Sequence, residues 1–150
     1  MIERAYRKNG VPGTIQSVNS VALAMSYLQG EGKYADRTKF PFPSLLMTDL
    51  KMPREDGFAL LQQIKANPQW TMIPVLVFSG ASDADDIKRC YAMGASCYLQ
   101  KPNNPDELCR LLKLFYDFWR ECHIPHMDMD GIQTKTEHEG KLGERFGPMK

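Results

Sequence analysis

The chain has 150 residues, 43% of them hydrophobic and 25% charged, and a formal net charge of +1. That is one domain's length with room for a core, and the composition excludes a disordered polymer. The near-zero charge gives no electrostatic case for nucleic acid or an acidic membrane, and no apolar run is long enough to span a bilayer.

Thr14 to Val18 is the first run that reads as a strand. Residues 20–28 follow with Val21, Leu23, Ala24, Tyr27 and Leu28 at helical spacing. The stretch 30–43, "GEGKYADRTKFPFP", is polar and marked by glycine and proline, which predicts a long surface loop. Ser44 to Thr48 is the second strand. Helical spacing returns over 57–66 through Phe58, Leu61 and Ile64, with Asp56 as N-cap and Asn67-Pro68 as the stop. Pro74 to Phe78 is the third strand.

Residues 83–94 open with acids, which suit the positive end of a helix dipole, and close on Gly94. Cys97 to Gln100 is the fourth strand. Residues 105–119 open on Pro105 and set Leu108, Leu111, Leu112, Phe115, Phe118 and Trp119 on one face, wide enough for a core or a dimer surface. The folded domain is expected over 1–124, with 125–150 a disordered tail of few aliphatics and many charges. His123, His126 and His138, in or near that tail, read as solvated. Cys90, Cys97, Cys109 and Cys122 form no C-x-x-C pair and read as reduced thiols. No signal-peptide pattern opens the sequence, so the cytoplasm is the expected location.

Strands alternating with helices predict βαβ units: an α/β fold with a doubly wound parallel sheet. The runs "LLM" and "VLVF" are apolar throughout, as strands covered on both faces should be. Ligands bind such sheets at the carboxyl ends of the strands, and Asp49, Ser79 and Lys101 each stand just past one. Together they offer a carboxylate, a hydroxyl and an ammonium. An aspartate can attack phosphorus and form an acyl phosphate. The new phosphoryl group carries about two negative charges. Lys101 could meet it with charge, Ser79 with a hydroxyl, and a hard cation such as Mg²⁺ through oxygen ligands.

The motifs "LLMTDLKMPREDGF", "VLVFSG" and "CYLQKP" resemble the receiver domain of response regulators in bacterial two-component signalling. The resemblance covers about residues 1 to 122 and implies a flavodoxin-like fold, with four of its usual five strands visible. Asp49 matches the phosphoacceptor, and Ser79 and Lys101 match the phosphate-contacting residues. Tyr98 matches the aromatic switch residue. Asp49 and the Lys51 backbone carbonyl match metal ligands, which implies Mg²⁺. The family's role implies a histidine kinase as phosphoryl donor and a switch rather than an enzyme. Its expected output is a protein contact, either with a second copy through the last helix or with another component. The loop "GEGKYADRTKFP" and the ending "FYDFWRECHIP" are similar to single-domain regulators paired with bacterial phytochrome kinases.

One part of the family pattern is missing. Receivers begin with a strand ending in two acids that hold the metal, whereas "MIERAYRKNGVPG" reads as the first helix and its cap. Glu3 on that helix is no substitute for the pair. Two explanations stay open: Met1 is internal to a longer protein, or the chain is a degenerate receiver completed by a partner or by strand exchange. A pseudo-receiver that binds partners without phosphorylation is therefore the rival function. A phosphatase of the haloacid dehalogenase type needs a second aspartate two residues after the nucleophile, where this chain has Lys51.

Overall fold

The structure, a computed structural model, describes residues 2–10, 13–52, 55–80, 83–134 and 141. In chain order its helices are α1 (Ile2–Lys8), α2 (Val21–Gln29), α3 (Gly57–Ala66), α4 (Ala84–Ala92) and α5 (Pro105–Arg120). Its strands are β1 (Leu46–Thr48), β2 (Lys51–Met52), β3 (Glu55–Asp56), β4 (Val75–Ser79) and β5 (Cys97–Gln100). The described residues divide into two compact units. One takes those up to Ser17, Pro102–His126 and Lys141; the other takes Val18–Lys101 and Met127–Thr134.

The second unit holds a three-stranded parallel sheet in the order β1-β4-β5. Leu46 pairs with Val75 and Thr48 with Val77, while Leu76 pairs with Cys97 and Ser79 with Gln100. β4 is central, and all five of its residues are buried, as its apolar sequence requires. Val75 and Val77 join the core of α2, α3 and α4 through Leu28, Leu61, Ile64 and Cys90. Successive side chains alternate across a strand, so Leu76 and Phe78 fill the opposite face.

The helix starts follow local chemistry. Ser20 caps α2 by accepting from the N–H of Leu23, and Asp56 caps α3 by accepting from that of Phe58 at 2.9 Å. Asp83 caps α4 through the N–H groups of Asp85 and Asp86. The loop after α2 is not free. Arg37 donates to the carbonyls of Tyr27 and Leu28, capping the helix end, and Tyr27, Tyr34 and Phe40 form an aromatic cluster.

The fold class matches the expectation, with two differences in detail. Thr14–Val18 is not a strand; its residues are exposed and make no ladder. A strand exists through its neighbour's hydrogen bonds, and this run pairs with none of the described strands. Conversely, β2 and β3 make a short antiparallel hairpin straight after Asp49, pairing Lys51 with Asp56 and Met52 with Glu55.

Of the segment expected to be a tail, residues 127–134 are described in the same unit and packed. Met127 lies against the core and bridges to Gln133, and the Phe42 N–H donates to the Met129 carbonyl at 3.2 Å. Asp128 closes the turn by accepting from the N–H groups of Asp130 and Ile132. Gly131, at φ 81°, sits on the Phe42 ring. Lys141 of the same segment is described too and pairs with Glu121 at 2.6 Å, whereas residues 135–140 and 142–150, with His138, lie outside those described.

In the first unit α1 packs on α5. Asn9 donates its side-chain amide to the Cys109 carbonyl at 2.8 Å. Asn104 caps α5 through the N–H groups of Asp106 and Glu107, and Pro105 takes the first-turn position. Leu108, Leu112, Phe115 and Tyr116 are buried, whereas Leu114 and Phe118 are 57% and 63% exposed. No helix among the described residues is long and apolar enough to cross a membrane.

Candidate functional site

Parallel strands put their carboxyl ends on one edge, so the residues following β1 and β5 and the last residue of β4 meet there. The meeting is tied by backbone as well as side chains: the Lys101 N–H donates to the Ser79 carbonyl at 2.8 Å. The Lys101 ammonium then reaches Asp49 Oδ2 at 2.5 Å. Both side chains are about a quarter exposed. This is a half-buried ion pair with one open side.

Asp49 has further partners. Its Oδ1 accepts from the Lys51 N–H at 3.3 Å, and its carboxylate accepts from the Ser79 hydroxyl. Burial pushes the Asp49 carboxyl up, but the Lys101 hydrogen bond and charge, the Lys51 N–H and the Ser79 hydroxyl outweigh it. They hold the group below its ordinary value. At neutral pH Asp49 is therefore a partly exposed anion, and an ionised carboxylate can act as a nucleophile toward an electrophilic centre.

Ser79 is fully buried. Its hydroxyl also bonds to the side chain of Tyr98. One hydroxyl has one proton to donate and lone pairs to accept, so Ser79 serves Asp49 and Tyr98 together only by donating to one and accepting from the other. Burial pushes the Tyr98 phenol up, and the Ser79 contact only partly offsets this. Tyr98 thus stays a neutral phenol. Its own N–H donates to the Tyr91 hydroxyl at 3.2 Å, which ties β5 to α4.

Asp49, Ser79, Tyr98 and Lys101 are therefore gathered into one connected cluster. Lys51 also meets Asp49, but the contact the geometry gives is its N–H. Asp56 is the N-cap of α3, as expected. Sequence reasoning does not single out Tyr91, because a half-exposed helical tyrosine carries no pattern. Nor does it give Gly57 more than a place at a helix start.

The described residues do not fit a divalent cation. Asp49 offers a single carboxylate, with an ammonium on one oxygen and an N–H on the other. Among the described residues no three Asp, Glu, His or Cys side chains converge. A hard cation needs several oxygen ligands and is repelled by the Lys101 charge.

A family model described as the response regulator receiver domain matches residues 9–113. The response regulator Rcp1 of Synechocystis sp. is 36% identical over 98 residues, which cover 65% of this chain and 65% of that protein. This chain thus spans slightly less than two thirds of that relative. The crystal structure of the phosphorylated cyanobacterial phytochrome response regulator RcpA superposes with a TM-score of 0.69 at 32% identity, covering 78% of this chain and 84% of that one. The Mn²⁺-bound form of Rcp1 gives 0.71 at 29% identity, covering 83% and 91%.

Proposed function

The chain belongs to the response regulator receiver family, and from that premise we propose that Asp49 accepts a phosphoryl group in a two-component phosphorelay. The donor is the phosphohistidine of a histidine kinase. An Asp49 oxygen attacks phosphorus, the P–O bond forms, the P–N bond breaks, and the imidazole leaves. Lys101 then pairs with the phosphoryl oxygens in place of the carboxylate.

The observation that carries this reading is the connected set Tyr98–Ser79–Asp49–Lys101. Ser79 has one proton to give. When the phosphoryl oxygens replace the carboxylate as its acceptor, the hydroxyl follows them and Tyr98 follows the hydroxyl. Because the Tyr98 N–H is held by Tyr91, that shift moves β5 against α4. A local charge thereby biases a packed two-state element. The output is a protein contact, with a second copy meeting the exposed Leu114 and Phe118 of α5 as one form of it.

The metal ligands that the family resemblance implies are Asp49 and the Lys51 backbone carbonyl. Together they supply two oxygens, too few for a hard cation unaided. The test is intact-protein mass spectrometry after acetyl phosphate, with and without Mg²⁺, beside Asp49→Asn. An adduct absent from the variant supports the reading. No adduct under either condition would leave the chain as an unphosphorylated interaction module.

A further inference from the structure

Gly57, the first residue of α3, lies against the backbone that carries the phosphoacceptor. Its N–H donates to the Leu50 carbonyl at 3.0 Å. A Cβ at this position would stand 2.1 Å from the Asp49 carbonyl oxygen, 2.7 Å from Leu50 Cα and 2.9 Å from the Asp49 carbonyl carbon. All three are main-chain atoms, so no side chain can swing aside. The φ of Gly57 lies outside the left-handed region, so conformational freedom is not what demands glycine here. Space is what demands it.

From this contact we infer that Gly57 is a positioning residue for Asp49: by lacking a Cβ it lets the first turn of α3 close on the Asp49–Leu50 peptide and fix the carboxylate relative to Lys101 and Ser79. The inference rests on the reading of Asp49 as phosphoacceptor. A methyl at 57 would have to push that peptide away by about an ångström to reach ordinary contact. The carboxylate sits on the same residue. A shift of that size would change its geometry toward Lys101 and Ser79. Misplacement of a reacting group by about 1 Å can cost about a hundredfold in rate.

The test compares Gly57→Ala with Asp56→Ala. The second removes the N-cap of the same helix, whose carboxylate accepts from the Phe58 N–H, without touching Asp49. Both are examined in sucrose at low temperature, which favours the compact state. Three quantities are read: thermal unfolding, the titration of the Asp49 carboxyl by carbon-13 NMR, and the rate of phosphoryl uptake from acetyl phosphate by intact mass.

Asp56→Ala is expected to melt earlier with wild-type titration and uptake. Gly57→Ala is expected to fold, to titrate differently at Asp49, and to take up phosphate about a hundredfold more slowly. A Gly57→Ala chain with wild-type titration and uptake overturns the inference. So does equal loss in Asp56→Ala, which would make the effect one of helix stability. A Gly57→Ala chain that stays unfolded in sucrose also overturns it, since the glycine would then be a folding requirement. If the wild-type chain takes up no phosphoryl group, the phosphoacceptor reading fails, while the Asp49 titration still decides the positioning role.

Discussion

Lys101 and Asp49 are 52 residues apart in sequence and joined by a 2.5 Å contact. The carboxyl is held below its ordinary 3.8 although burial alone would raise it. A carboxyl whose folded pKa is depressed stabilises the fold above its unfolded pKa, and that contribution is lost as pH falls through the folded value. Lys101→Met should therefore raise the Asp49 pKa and weaken the fold at neutral pH. Urea unfolding of the two proteins should differ at pH 7, and the difference should shrink as pH drops below 3.8. A gap that does not change with pH would mean that Lys101 acts through packing alone.

Phosphoryl uptake should fall with the same substitution. Removing one preorganised charge from a developing anion typically costs about a hundredfold or more in rate. Intact mass after timed exposure to acetyl phosphate gives the number. Wild-type uptake in Lys101→Met would remove the lysine from the chemistry.

Tyr98→Phe keeps the ring and deletes the hydroxyl that meets Ser79. The β5 response should then uncouple from Asp49. Amide shifts of Cys97–Gln100 on phosphorylation, read by NMR, should become smaller than in the wild type. Shifts of equal size would place the coupling in the backbone contact between Lys101 and Ser79 instead.

Gly131→Ala tests the packed segment after α5. A Cβ there meets the Phe42 ring at 2.5 Å, and φ is 81°. Strain of this kind costs on the order of 1–3 kcal/mol. In a chain of this size that lowers the melting temperature by several degrees. An unchanged melting curve would show residues 127–134 to be dispensable to the core.

Phe118→Ser addresses the exposed face of α5. Phe118 and Leu114 lie one helical turn apart and both exceed half exposure. If the chain self-associates through this face, sedimentation should shift toward monomer in the variant. Wild-type and variant sedimenting alike would put any dimer elsewhere.

What the sequence revealed was what depends on local pattern. The apolar run 75–78 could only be a strand covered on both faces, and the three polar residues at strand ends could only meet if the strands were parallel. The cap at Asp56 was equally legible, being local chemistry. Thr14–Val18 misled because alternation describes a strand's faces and says nothing of its neighbour. The hairpin of β2 and β3 hid behind its shortness. Residues 127–134 read as tail because they are polar. Their order comes from Met127 against the core, the Phe42–Met129 hydrogen bond and Gly131 on the Phe42 ring, none of which a periodicity records.

Because the cluster draws on positions 49, 79 and 101, it exists only in a chain that has been synthesised past its third contributor. A nascent chain halted before Lys101 would carry the Asp49 carboxylate without its counter-ion. The lowered Asp49 carboxyl is then a property only of molecules whose three strands have already docked.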